Sequence, residues 1–229
     1  MGILIAAAGG AAFLAWAVRG KSSAVFASSV WRGPAERREV ALTFDDGPSH
    51  ATPQILEVLA AHGAKATFFF CGTNVRRLPE AARQAAAAGH EVGNHSDTHP
   101  LLCFRSARFM EDEIRRAQEA IQEHTGQTPR WFRAPYGVRW FGLRGVQERL
   151  GLTGVMWTVI GRDWKLPAEA IARRVTRQAR PGAIVCLHDG RELSGAPAAA
   201  NTVQALGLIL PPLAAQGYRF VTLSQMFRS

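Results

Sequence analysis

Seven short apolar runs, each parted from the next by a stretch of helical periodicity, constrain this chain more than any other feature. They cover 40–44, 66–70, 91–93, 131–133, 155–159, 184–187 and 218–222 and read as strands. Between them, helical patterns span 52–62, 79–88, 108–123, 143–150, 167–178 and 202–216. Thr52-Pro53 opens the first with a capping residue and a proline at an early helical position. Gly63, Gly89, Gly126 and Gly217 lie just past helix ends, where a left-handed residue is favoured. Alternation of this kind predicts parallel strands with helical crossovers, an α/β chain. Seven units predict a barrel rather than an open sheet.

Polar clusters fall on the C-terminal side of these strands. Asp45-Asp46, His95 and His99, Arg133, Asp163-Trp164 and His188-Asp189 each follow one. In a parallel barrel such positions meet at one rim, where active sites form. Asp45 and Asp46 end an apolar run that Gly47-Pro48 stops at once, so both acids sit on a turn at a strand tip. His95 and His99 are four apart, and a helical or tightly turned backbone would point both imidazoles the same way. One carboxylate and two imidazoles suit a catalytic divalent metal such as zinc, and a second carboxylate is then free to act as a base on water. Singly, each feature has a duller reading: a capped turn, two surface histidines, a packed structural arginine, a core histidine. Their joint placement at strand ends favours a metal-dependent hydrolase.

The chain of 229 residues can bury a full core, and Lys plus Arg exceed Asp plus Glu, 27 to 18, for a net charge of +9. That excess favours an anionic neighbour such as a phospholipid surface or an acidic wall polymer. No helix-turn-helix, zinc-finger or aromatic RNA-binding motif is present, so nucleic acid is not expected as a partner. Cys71, Cys103 and Cys186 lack CxxC spacing and read as small core side chains.

Residues 2–18 are uncharged and rich in Ala, Leu and Ile, and Arg19, Gly20 and Lys21 end the stretch. It is at the short limit for a bilayer span, and no basic residue precedes it as in a cleaved signal peptide. The expected organisation is a membrane-associated or signal-like segment over 1–20, a basic linker over 21–38 and a catalytic domain over 39–229. Arg32, Arg37 and Arg38 would favour a cytoplasmic domain by charge, whereas a wall-glycan substrate would place it outside the cytoplasm.

Five motifs in order resemble those of the polysaccharide deacetylases (carbohydrate esterase family four, the NodB-homology domain). They are TFDDGP at 43–48, HSDTH at 95–99, RAPYG at 133–137, Asp163-Trp164, and Leu187-His188-Asp189. The resemblance runs from about Glu39 to Phe227. It implies a distorted (β/α)7 barrel and hydrolysis of N-acetyl groups on N-acetylglucosamine-containing glycans, with metal-bound water as the nucleophile. On this pattern Asp46, His95 and His99 bind one divalent ion, zinc by preference over cobalt, manganese or nickel. Asp45 is the base, His188 protonates the departing amine, Arg133 holds Asp45, and Asp163 pairs with His188. The backbone N–H of Tyr136 faces the oxyanion, while Trp164 and Leu187 wall the acetyl pocket. The implied partners are an acetylated glycan and, through the N-terminal segment, a membrane surface. Rival substrates are a lipid-linked sugar, as deacetylase or deformylase, and O-acetylated xylan. The rival outside catalysis is a silent glycan-binding protein.

Two departures from the family pattern are Ile160, where many relatives carry an acid, and Ala134, where proline is common. Trp131, Trp140 and Phe141 flank the third motif and read either as sugar-stacking faces or as core. His50, His62, His90 and His124 are assigned no chemistry; the last three lie at helix ends, where an imidazole can meet exposed carbonyls.

Overall fold

The computed structural model describes residues 2–190 and 199–228. Among the described residues nine strands form one all-parallel sheet: β1 (Ser29–Val30), β2 (Glu39–Asp45), β3 (Ala66–Phe70), β4 (Glu91–Asn94), β5 (Trp131–Phe132), β6 (Thr153–Val155), β7 (Val159–Ile160), β8 (Ala183–His188) and β9 (Arg219–Phe220). Their order is β1-β6-β5-β4-β3-β2-β8-β7, with β9 added to β2. β1 and β7 end this order without pairing to each other, which makes the barrel distorted and incompletely closed.

The strand alternation sorts side chains into two layers. Val40, Leu42 and Phe44 of β2, Ala66, Phe68 and Phe70 of β3, and Val185 and Leu187 of β8 point outward into one core. That core also takes in Ile55 and Leu59 of α2 (Thr52–Ala61), Ile171 of the helix Ala168–Gln178, and Leu206 and Ile209 of the helix Ala200–Ala215. Ala41, Phe69, Trp131, Val155 and Ile184 fill the inside of the barrel. Thr43, Asp45, Cys186 and His188 share that inner parity, and it carries the chemistry to the rim.

Three differences from expectation have local causes. The run 155–159 is split into β6 and β7, and Met156 N–H turns to Val30 O at 2.7 Å. The stretch expected as a linker instead adds a strand, because Ser29 and Val30 pair with Gly154 and Val155. α3 (Gly72–Arg77) begins at once after β3, too short to show a helical period.

His90 is buried and its Nδ1 accepts from Ala66 N–H at 3.1 Å, so it meets a donor rather than a carbonyl. Burial and nearby Lys65 pull its pKa down to about 4. Trp131 lies in the barrel interior, its indole N–H donating to Glu91 at 2.9 Å, so it is core. Trp140 and Phe141 pack tilted and edge-on against buried Phe26, and Trp140 also against exposed Phe104, away from the cavity described below.

Candidate active site

β2 and β8 run side by side in a register that places Asp45 directly opposite His188. Both project from the inner layer at the C-terminal rim. The chain then turns at Asp46, whose φ of 74° is left-handed and swings the second carboxylate away from the first. Gly47 follows in a cis peptide with Pro48. A Cβ on Gly47 would stand 2.1 Å from the Asp189 carboxylate, so only glycine fits. Asp189 is fully buried, takes a hydrogen bond from Thr52 Oγ1 at 2.6 Å, and burial raises its pKa to about 7. It braces the turn that carries Asp46, a structural role the motif alone did not reveal.

His95 and His99 sit on a non-helical bend after β4 rather than on a helix. His99 and the preceding Ser96 both have positive φ, 54° and 65°. Such backbone persists only where its surroundings hold it. Here the N-terminus of α3 donates from Gly72 N–H to Ser96 O and from Thr73 N–H to Asp97 O, each at 3.1 Å. Asp97 is tied to Arg76 at 2.5 Å and Arg116 at 3.1 Å. Glu113 accepts from both Thr98 N–H and Thr98 Oγ1.

These constraints aim both imidazoles at Asp46. Its Oδ1 lies 3.3 Å from His95 Nε2 and 3.2 Å from His99 Nε2. His95 donates Nδ1–H to Arg133 O at 2.7 Å, so its Nε2 presents a lone pair when the ring is neutral. A lone pair facing a carboxylate needs a cation between them. Ligand atoms 2.0–2.1 Å from a tetrahedral ion stand about 3.3 Å apart, which is the spacing observed. Asp46, His95 and His99 therefore fit a divalent metal. Burial alone would raise the Asp46 pKa, but where the two imidazoles are protonated their hydrogen bonds and charge outweigh it and hold the carboxyl well below its usual range.

Arg133 is completely buried and spans the barrel. Its Nη1 donates to Asp45 Oδ1 at 2.6 Å and Thr43 Oγ1 at 2.8 Å, and its guanidinium lies 4.2 Å over the Phe69 ring. Asp45 is thus held by one oxygen, while Oδ2 meets the Cys186 thiol at 3.4 Å. Opposite, His188 Nδ1 pairs with Asp163 Oδ1 at 2.9 Å, and Asp163 Oδ2 accepts from His188 N–H and Thr202 Oγ1. Burial pulls the imidazole down, yet the charge and hydrogen bond of Asp163 prevail and push it to about 9. The Trp164 ring packs edge-on against His188 at 5.1 Å.

One cavity of about 300 Å³ collects Asp45, Asp46, His95, His99, Tyr136, Asp163, Trp164 and His188. Tyr136, with φ of 60°, turns its ring against His99 at 4.6 Å. Leu187, expected in the cavity wall, is not there. It is fully buried in the outer core, because the alternation of β8 gives the inward positions to Cys186 and His188. Cys186 lines the cavity instead, with Trp157 and Ile160. The parity of the strand could have shown this. Arg19 also lines the cavity, and no sequence signal tied it to the motifs.

A parallel α/β barrel with a metal-competent triad, a second carboxylate and an imidazole–carboxylate pair gathered at its C-terminal rim defines the class of protein. The polysaccharide deacetylase family model matches residues 32–155, and the chain belongs to that family. It is similar to a chitooligosaccharide deacetylase of Bradyrhizobium sp. (strain ANU 289), 41% identical over 198 residues, covering 82% of this chain and 90% of the relative. A crystal structure of a peptidoglycan N-acetylglucosamine deacetylase superposes with a TM-score of 0.81 at 34% identity, covering 86% of this chain and 91% of that one. A family-four pseudoenzyme from Bacillus anthracis superposes with a TM-score of 0.80 at 30% identity, covering 88% of this chain and 69% of that one.

Proposed function

We propose that the protein is a metal-dependent hydrolase that removes N-acetyl groups from N-acetylglucosamine-containing glycans, with zinc as the metal. The observation that carries this reading is the register of Asp45 with His188 beside the Asp46, His95 and His99 triad, all within one cavity. Because a pseudoenzyme shares this fold, the fold alone would not support catalysis; the full set of groups does. A divalent ion held there supplies a Lewis acid that acidifies water and polarises the acetyl carbonyl.

The protein's own groups do the rest. Asp45, held by Arg133 through one oxygen, takes the proton of the attacking water. The backbone N–H of Tyr136 is the proposed donor to the developing oxyanion. His188, kept protonated by Asp163, gives its proton to the departing amine, which would otherwise leave as an unstable amide anion. Trp164, Cys186 and Ile160 enclose the acetyl methyl and keep bulk water from it.

Acetate release from N-acetylglucosamine oligomers and from acetylated xylan, measured side by side, tests the reading. Faster release from the oligomers supports it, and release from xylan alone would replace it with the esterase. We also place α1 (Gly2–Arg19) at a membrane surface, since Phe13, Leu14 and Trp16 are exposed and basic residues follow. Among the described residues no helix is long and apolar enough to cross a membrane.

A further inference from the structure

The end of α1 is stitched to the rim of the barrel. Arg139 is buried, and its backbone N–H donates to Val18 O at 3.0 Å. Its guanidinium donates to Ser23 O at 2.7 Å and to Gly20 O. Ser23 Oγ donates back to Ala17 O at 2.9 Å, and Ala17 is buried. Lys21 Nζ donates to Thr158 O at 2.7 Å, just before β7. β1 then pairs with β6. These bonds hold the helix end in one place, and Arg19 stands in the cavity wall with Tyr136, Trp157 and Ile160.

Every acid of that cavity already has a cationic or imidazole partner. Asp45 is paired with Arg133, Asp46 faces His95 and His99, and Asp163 holds His188. Among the described residues Arg19 is exposed and has no acidic partner. Its neighbourhood adds positive charge. Lys21 lies near Arg174, whose Nε donates to Ile160 O at 2.7 Å, and burial together with that guanidinium lowers the Lys21 pKa. A neutral chitin oligomer offers this edge no counter-charge.

We propose that Arg19 is a specificity-determining residue that binds an anionic group, phosphate or carboxylate, carried by the glycan on or next to the sugar being deacetylated. The inference rests on the deacetylase reading and narrows its substrate class. Guanidinium binds both anions through paired N–H donors, and an anion seated here also meets the field of Lys21 and Arg174. The exposed α1 end brings that binding group from a part of the chain outside the catalytic motifs.

The test compares the metal-loaded full chain with its Arg19→Gln and Arg19→Lys variants. Three glycans are used: a neutral N-acetylglucosamine oligomer, an oligomer with a free muramoyl carboxylate, and one with an anomeric phosphate. Turnover and calorimetric affinity are both recorded. The expected result is a preference for one or both anionic glycans that falls about tenfold in Arg19→Gln, falls less in Arg19→Lys, which keeps the charge but loses the paired donors, and weakens with salt. Which anionic glycan shows the effect identifies the anion. An anionic-to-neutral ratio unchanged in Arg19→Gln, or no preference in the parent, overturns the proposal. If no glycan releases acetate, the hydrolase reading fails, while the affinity ratio still decides the role of Arg19.

Discussion

The floor of the cavity and its N-terminal rim are built in opposite ways. The floor comes from the tips of β2, β4 and β8, and Asp45, His95, Asp163 and His188 are each paired inside the barrel. The rim near α1 is held through backbone carbonyls that Arg139 and Lys21 gather from a distance, and it presents Arg19 with no acidic partner among the described residues. Paired and buried groups keep one geometry, which is what proton transfer needs. An exposed, unpaired cation costs little to leave in water and can answer to whatever substrate arrives. The floor therefore governs whether the reaction occurs, and the rim which glycan is taken.

Changes to the floor should act on turnover for every substrate, and the largest effect is expected at the base. Asp45→Asn should lower acetate release by about 10²–10⁴-fold. Calorimetry should still find the metal bound, since Asp46, His95 and His99 remain. Turnover close to the parent's would remove Asp45 from its role. Arg133→Met should come next, because it strips a fully buried cation from Asp45 and from the interior of the barrel. A loss of about 3–5 kcal/mol in chemical denaturation is expected, together with lost activity. A fully stable variant would mean that the barrel does not depend on this pair.

Asp163→Asn tests the acid more gently. The His188 pKa is raised above its unfolded value, so this pair's contribution to stability is full below about 6.5 and is lost as the pH rises through about 9. Without Asp163 the remaining burial lowers the imidazole, and the alkaline limb of the rate profile should move towards neutral pH. A limb that stays in place would separate His188 from the proton donor. The smallest effect belongs to the rim. Arg139→Met removes the bonds to Gly20 O and Ser23 O and should cost about 1–3 kcal/mol, with faster proteolysis before residue 30. A loss of turnover as deep as that of Asp45→Asn would erase the distinction between floor and rim.

The floor was legible because its residues recur as motifs and because each sits at a strand tip. Asp45, Asp46, His95, His99, Arg133, Tyr136, Asp163, Trp164 and His188 all reach the one cavity or the base within it. Leu187 was misplaced because a motif names neighbours without regard to which side of the strand each faces. The role of Asp189 escaped because it acts on Gly47, far away in sequence and opposite in space. The rim was not legible at all. Segment 21–38 reads as basic and irregular, and nothing local marks Ser29 and Val30 as partners of Gly154 and Val155 or Arg139 as the clamp for residues 18–23. Those contacts depend on sequence separations above a hundred residues, which periodicity cannot report.

The account stands most directly on acetate release from N-acetylglucosamine oligomers by the metal-stripped full chain, titrated with zinc. It predicts negligible release without metal and activity that rises to a plateau at one zinc per chain, with Asp46→Asn failing to respond. Zinc bound at one per chain with no acetate released from any acetylated glycan would contradict it.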